Sequence, residues 1–230
     1  MGNFSLEYVP VIVIELVCIV FSIMVHEISH GLAAYKLGDP TAKNAGRLSL
    51  NPARHLDPFG SVILPFIMAL IGGPIFAYAK PVPYNPMYFT NRKQGELIVA
   101  FAGPLSNLLQ AFVGAGICVL AQTLYPGAVS SASSVAAEAV IWLYRIGYYY
   151  CTINLVLLFF NIIPLPPLDG ASIITAFLTP AGMEKFYKVK QYSMFILLAL
   201  LFLVPMVTPF DPLGWYLQHT AYAVRSLLLA

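Results

Sequence analysis

A long apolar segment near the N-terminus, residues 9–35, limits the fold of this chain more than any other feature. It is interrupted only by Glu15 and by a His-Glu-His cluster. A transmembrane helix needs about 20 predominantly apolar residues. The remaining chain has the same character, since 59% of the 230 residues are hydrophobic, 10% are charged and the mean hydropathy is +0.78. Soluble domains carry about 25% charged residues, so the composition predicts an all-α polytopic membrane protein.

Further apolar segments follow the first, and together they predict about five to six transmembrane helices. We expect a single membrane-embedded domain over residues 1–230, with its core within 9–178 and additional C-terminal helices within 186–229. A net charge of +2 without any basic tract argues against nucleic acid as a partner. The predicted spans are residues 9–35, 96–124, 136–162, 186–207 and 213–229.

Two features are predicted between the first and second spans. Residues 46–50, Gly-Arg-Leu-Ser-Leu, have the pattern of a short strand. Residues 59–79 are apolar, but Pro65 and Gly72-Gly73-Pro74 interrupt them. The loops 36–58 and 80–93 are both basic, so the positive-inside rule places both in the cytoplasm. A full span at 59–79 would separate them, and we therefore predict a re-entrant segment and an N-terminus outside the cell membrane.

The sequence His26-Glu27-Ile28-Ser29-His30 carries the chemistry of the first helix. Histidines four residues apart lie on one helix face, about 6 Å apart along the axis, so both imidazoles can bind one ion. Glu27 can accept a proton from an attacking water. Zinc suits such ligands, and a catalytic zinc site has three of them from the protein. The competing interpretation is polar packing between helices, although such residues are costly in hydrocarbon.

A third ligand is needed, and few acidic residues are available. Asp169 follows a long apolar helix and the proline-rich sequence 164–168. The prolines end that helix and keep the chain extended, so a carboxylate there can turn back into the bundle. The alternative is that Asp169 only caps the next short helix.

Three sequence blocks together resemble the site-2 protease family of membrane-embedded zinc metalloproteases. They are His26 to His30, then Ala102-Gly103-Pro104-Leu105-Ser106-Asn107, then residues 161–170, Asn-Ile-Ile-Pro-Leu-Pro-Pro-Leu-Asp-Gly. The resemblance implies that His26, His30 and Asp169 bind one Zn²⁺ ion and that Glu27 is the general base. The chain is similar to the minimal branch of the family, without PDZ or nucleotide-sensing domains. Regulation would then need a separate partner or a homo-oligomer.

Three further residues are candidates for the site. Asn107 and Asn161 match asparagines in the resembling blocks and could contact the substrate backbone or the developing oxyanion. Interhelical hydrogen bonding is the alternative for both. His55 could support a ligand or contact substrate, or it could be a structural residue of its loop.

The function that these motifs predict is zinc-dependent hydrolysis of peptide bonds within or next to transmembrane helices of membrane-protein substrates. We expect the active site towards the cytoplasmic side, because water must reach it from near the basic loops. The alternatives are a metal-binding or metal-transporting membrane protein and a catalytically silent relative that holds client helices.

Overall fold

The computed structural model describes residues 9–55, 57, 63, 80–130 and 134–230, and the regular secondary structure of these residues is helical. Two single-turn 3₁₀ helices, Pro52–Arg54 and Pro86–Tyr88, lie in the segments between the first long helices. A π-helical turn, Ala199–Leu203, joins the helices Ser193–Leu198 and Val204–Val207. The helices are α1 (Val9–Lys36), α2 (Thr41–Asn44), α3 (Arg92–Ser130), α4 (Ser134–Ile162), α5 (Asp169–Thr175), α6 (Pro180–Lys190), α7 (Ser193–Leu198), α8 (Val204–Val207), α9 (Pro212–His219) and α10 (Ala221–Leu228).

Helix α1 confirms the first predicted helix and is long enough to cross a bilayer. Its 28 residues extend over about 42 Å, more than the roughly 30 Å of hydrocarbon. It ends before Gly38, whose φ of +100° is favourable only for glycine. The amide of Asp39 then donates to the carbonyl of Ala34 at 3.0 Å. This turn directs the following polar loop back against the side of α1.

Helices α1, α3 and α4 pack against one another, and small residues bring α3 and α4 close together. A Cβ built on Gly114 would lie 2.5 Å from the Cys151 amide nitrogen, and one built on Gly147 would lie 2.8 Å from the Gly114 carbonyl oxygen. Glycine at both positions therefore permits direct backbone contact, as is common between membrane helices. The buried cluster at this contact continues to Ala221 of α10.

Three described helices are long and apolar enough to be membrane spans: Val9–Lys36, Arg92–Gly127 and Val135–Ile162. A fourth is possible in the bent pair Pro180–Lys190 and Ser193–Val207, whose axes differ by 63°. The predicted span at 213–229 is not a continuous helix. Thr220, at φ −120° and ψ −83°, separates α9 from α10, and each has eight residues. The count of five to six spans is therefore not confirmed.

The strand predicted at residues 46–50 is wrong, because the structure has turns and bends there and no strand anywhere in its described residues. A strand must pair with a second backbone, whereas here side chains form hydrogen bonds to the backbone carbonyls of the segment. Arg54 donates to the Gly46 carbonyl at 2.8 Å, and the His55 ring bonds to the Ser49 carbonyl at 2.7 Å. Gly46 also has a φ of +65°, which is incompatible with a strand. The predicted re-entrant segment at 59–79 lies outside the described residues, apart from Ile63.

The close α3–α4 contact leads to a stability prediction. Gly114→Ala should lower the free energy of unfolding by about 1–3 kcal/mol, because the new methyl group would push the two backbones apart. Gly116→Ala is the matched control, since a Cβ at Gly116 would meet nothing within 4 Å. Denaturant titration of both variants in detergent tests this expectation. Equal stability of the two variants would contradict the account of this helix contact.

Candidate metal centre

One buried face of α1 supplies two of the three predicted metal ligands. Cys18, Ser22, His26 and His30 are all buried and recur every four residues, which places them along one side of the helix. The ring centroids of His26 and His30 are 4.7 Å apart, and their Nε2 atoms lie 3.1 Å from each other. The helix therefore holds both imidazoles with the same ring nitrogen directed to a common point.

Asp169 reaches this point as the first residue of α5. The preceding prolines end α4, and the chain turns back sharply over the last residues of that helix. Gly170 makes the turn possible, because a Cβ there would lie within 2.5 Å of the Ile163 carbonyl oxygen. The N-cap of α5 is Leu168, with extended backbone and no side-chain cap. Asp169 is thus not the cap of this helix, and its carboxylate is directed towards α1.

The three side chains meet at short distances. The Oδ2 atom of Asp169 lies 3.1 Å from His26 Nε2, and its Oδ1 atom lies 3.3 Å from His30 Nε2. One potential ligand atom from each of the three residues lies within 4.8 Å of the other two. The two histidines are buried, and the Asp169 side chain is 20% exposed. Within the described residues this is the one cluster of three such ligands.

Hydrogen bonds to the far side of each ring direct Nε2 towards this cluster. His30 Nδ1 lies 2.7 Å from the carbonyl oxygen of Val99, and His26 Nδ1 lies 2.5 Å from Asn107 Oδ1. A carbonyl oxygen can only accept, so Nδ1 must carry the hydrogen and donate in both rings. The Nε2 lone pairs are consequently available, which is the tautomer that a metal-binding histidine requires.

The ligand set fits a cation. Two Nε2 lone pairs and a carboxylate face one another, and Asp169 Oδ2 is buried without a hydrogen-bond donor among the described residues. Such an arrangement is repulsive unless a positive charge lies between the ligands. Two imidazole nitrogens and a carboxylate are the donor set of a catalytic zinc site.

Gly103 provides the space in which the ligands meet. A Cβ at this position would lie 2.5 Å from His30 Cε1 and 2.6 Å from His26 Cε1. Helix α3 can therefore approach the two rings closely only because residue 103 has no side chain. The sequence singled out this Gly-Pro block by resemblance, and the structure gives it a steric reason.

Asn107 belongs to a buried chain of amides that links α1, α3 and α4. Its Nδ2 donates to Asn154 Oδ1 at 2.8 Å, and Asn154 Nδ2 donates to Ser22 Oγ, also at 2.8 Å. Both asparagines are fully buried. Asn154 and Ser22 were not predicted from the sequence. An amide inside the apolar segment 151–158, and a serine one turn before His26 on the same face, were the available signals.

Glu27 lies on the adjoining face of α1, beside His26. Its Oε2 atom accepts a hydrogen bond of 2.8 Å from the backbone amide of Val82. The carboxylate is half-buried, and its Oε1 atom has no hydrogen-bond donor among the described residues. The Val82 amide thus fixes one of the two carboxylate oxygens.

The remaining two candidates have other contacts. Asn161 donates to the Leu157 carbonyl at 3.0 Å within its own helix, and among the described residues it has no interhelical hydrogen bond. His55 is buried and bonds to the Ser49 carbonyl, while its own carbonyl accepts from the Lys80 amide at 2.9 Å. Neither hydrogen-bonds to the three ligands. A contact of Asn161 or His55 with substrate stays a prediction.

Membrane-spanning helices around a His-His-Asp centre with an adjacent glutamate define the class of membrane-embedded zinc metalloproteases. This chain belongs to peptidase family M50, whose sequence profile matches residues 14–204. The matched range includes His26, His30 and Asp169 of the cluster as well as Glu27. The chain is therefore a zinc metalloprotease of the site-2 protease type, as its motifs predicted.

Several curated proteins are similar to most of the chain. "Putative zinc metalloprotease YwhC" of Bacillus subtilis is 38% identical over 205 residues, covering 88% of this chain and 84% of its own length. "Putative zinc metalloprotease Rip2" of Mycolicibacterium smegmatis is 26% identical over 98% of this chain and 80% of its own. "Putative zinc metalloprotease MJ0611" of Methanocaldococcus jannaschii is 30% identical over 75% and 73% respectively. No solved structure matches the chain.

The orientation of His26 leads to a test of metal affinity. Asn107→Leu removes the acceptor for His26 Nδ1, so zinc affinity should fall by about 10- to 100-fold. Asn161→Leu is the control, because it loses one part-buried asparagine bond within its own helix and touches none of the three clustered side chains. Competition with a chromophoric chelator measures both affinities. A fall of the same size in the two variants would show that the Asn107 bond has no specific effect on the metal site.

Proposed function

We propose that His26, His30 and Asp169 hold the zinc ion and that Glu27 is the general base of an intramembrane peptidase. Its substrates are transmembrane-helix proteins, cleaved within or next to the helix. The observation that carries this proposal is the convergence of three ligand atoms within 4.8 Å, with both Nδ1 atoms bound elsewhere. Glu27 is the only other acidic residue within one helical turn of the two histidines.

Proton transfer is the step that a side chain of this protein, the Glu27 carboxylate, would carry out. When bound, zinc supplies Lewis acidity towards a carbonyl and towards water. Glu27 accepts the proton of the attacking water as the peptide carbonyl is attacked. It then delivers this proton to the leaving amine, so the carboxylate is regenerated. The Oε1 atom serves this transfer while the Val82 amide holds Oε2.

Asn107 acts on the reaction through His26 in this proposal. Both its amide atoms are occupied, by His26 and by Asn154, and the side chain is fully buried. Because the side chain is fully buried, a substrate could not touch it in this arrangement of the helices. We therefore assign Asn107 to the orientation of His26, in place of the predicted substrate contact, and leave that role to Asn161 or His55.

The centre lies near one end of α1, and this end is basic. His30 is six residues, about 9 Å, from Lys36 at the end of the helix. Basic residues continue in the next loop with Lys43, Arg47 and Arg54. Following the positive-inside rule, we propose a multi-pass protein of the cell membrane with this end in the cytoplasm and the N-terminus outside. Five spans result if the bent pair from Pro180 to Val207 and the α9–α10 pair each cross once.

A substrate helix must unwind before cleavage, because its backbone groups are bonded within the helix.

The whole chain, residues 1–230, would act as one membrane-embedded protease domain in the bilayer, without nucleic acid as a partner. Regulation would come from a separate membrane partner or from a second copy of the chain.

Replacement of the base separates proteolysis from metal binding. Glu27→Gln should reduce cleavage of a transmembrane-helix substrate in detergent by about 100-fold or more, while zinc content stays unchanged. Glu184→Gln is the control, since Glu184 is exposed and pairs with Lys188 on the surface of its own helix. A chelator should also stop cleavage by the unaltered protein.

Two results would contradict the proposal. Cleavage by Glu27→Gln at the unaltered rate would exclude Glu27 as the base. Zinc transport into vesicles by both the unaltered protein and Glu27→Gln, without chelator-sensitive cleavage of any helical substrate, would favour the metal-transport alternative.

A further inference from the structure

An extended segment, residues 80–85, crosses α1 beside the metal centre, and we call it the strap. Its sequence is Lys-Pro-Val-Pro-Tyr-Asn. Proline has no amide hydrogen and a fixed φ, so Val82 between two prolines offers the only donor of residues 81–83 in a restricted backbone. This donor is the one that binds Glu27 Oε2 at 2.8 Å.

The first end of the strap is held by the loop that follows α2. The Arg47 guanidinium donates to the carbonyl of Lys80 and, at 3.4 Å, to that of Pro81. The Lys80 amide donates to the His55 carbonyl at 2.9 Å. Arg47 is 6% exposed, so a buried cation is used to bind two backbone carbonyls. Such charge-assisted bonds are stronger than neutral ones.

The second end of the strap is held by Asp39. This carboxylate is fully buried and accepts from the Asn85 amide at 2.6 Å and from the Thr41 amide at 2.9 Å, and also from the Thr41 hydroxyl. Burial raises the pKa of Asp39, but these hydrogen bonds outweigh it and lower the pKa below its ordinary value. Asp39 thus binds the strap as a carboxylate.

The middle of the strap fits closely against α1. Val82 is 7% exposed and packs over Gly31, one turn after Glu27. A Cβ at Gly31 would lie 2.9 Å from Val82 Cγ1 and 2.7 Å from Leu48 Cδ2. Absence of a side chain at residue 31 therefore allows Val82 to reach the helix and its amide to reach Glu27.

We propose that the strap positions the general base, with Arg47 and Asp39 as positioning residues that act through the Val82 amide. A glutamate has three side-chain torsions, and fixing one carboxylate oxygen removes most of its freedom before substrate arrives. The other oxygen is then held where the water proton is taken up. This inference rests on the proposed role of Glu27.

Matched arginines of one loop test the proposal by kinetics. Arg47→Gln should lower kcat by about 10- to 100-fold, with KM and zinc content unchanged, as for other residues that orient a catalytic group. Arg54→Gln is the control, because Arg54 donates to the Gly46 carbonyl of the same loop and does not touch the strap. Asp39→Asn should act like Arg47→Gln and gives a second variant if one of them folds poorly.

A double-mutant cycle distinguishes positioning from general damage. Glu27→Asp shortens the side chain by one methylene group and withdraws it from Val82. In that background Arg47→Gln should lower kcat less than about twofold further, since the contact is already lost. Cleavage by the unaltered protein and none by Glu27→Gln would support the proposed function. If Arg47→Gln nevertheless has its full effect on kcat in the Glu27→Asp background, the strap proposal fails while the proposed function stands.

Hydrogen exchange tests the contact without any activity. In protein labelled with [¹⁵N]valine, the Val82 amide should exchange about tenfold or more faster in Glu27→Ala and in Arg47→Gln, because it loses a charge-assisted bond. Arg54→Gln should leave the rate unchanged. Unaltered Val82 exchange in Glu27→Ala would overturn the proposal whether or not cleavage is observed.

Discussion

Three groups with lone pairs converge on one point inside an apolar bundle, and the arrangement of the helices follows from keeping them there. His26, His30 and Asp169 repel one another unless a cation lies between them. Hydrocarbon offers no water to satisfy their other atoms, so protein must do so. Asn107 and the Val99 carbonyl fill this need, and both come from α3. The position of α3 against α1 is thereby coupled to the tautomers of His26 and His30.

Close approach of the backbone is the second requirement, and glycine meets it at each contact around the site. Gly103 lets α3 reach the histidine rings, Gly170 lets the chain turn Asp169 inwards, and Gly31 lets the strap reach α1. Between membrane helices, packing and interhelical hydrogen bonds provide association, because lipid is as apolar as the helix surfaces. The same small-residue contacts that hold the bundle therefore also set the geometry of its centre.

Local spacing made the cluster of His26, His30 and Asp169 predictable, whereas the long-range contacts of backbone groups could not be predicted. Two histidines four apart must share a helix face, and the proline-rich sequence before Asp169 allowed a carboxylate to turn back. No sequence pattern marks the Val99 carbonyl as a partner of His30, or the Val82 amide as a partner of Glu27, because every residue has such groups. These contacts depend on which elements meet in three dimensions.

The errors have equally physical causes. Residues 46–50 have the alternation of a strand, yet pairing needs a second backbone, and Arg54 and His55 take the carbonyls instead. Residues 213–229 are apolar enough to suggest one helix, but the backbone at Thr220 is not helical. Hydropathy reports which residues avoid water and does not report where a helix breaks.

The identity of the atoms that bind zinc tests the central claim most directly. Zinc K-edge X-ray absorption of the purified protein should show two imidazole nitrogens and oxygen ligands, without sulfur, although three buried cysteines lie in the same chain. In Asp169→Ala the oxygen contribution should change while both imidazoles remain. A sulfur ligand, or a spectrum of Asp169→Ala identical to that of the unaltered protein, would contradict the assignment of His26, His30 and Asp169.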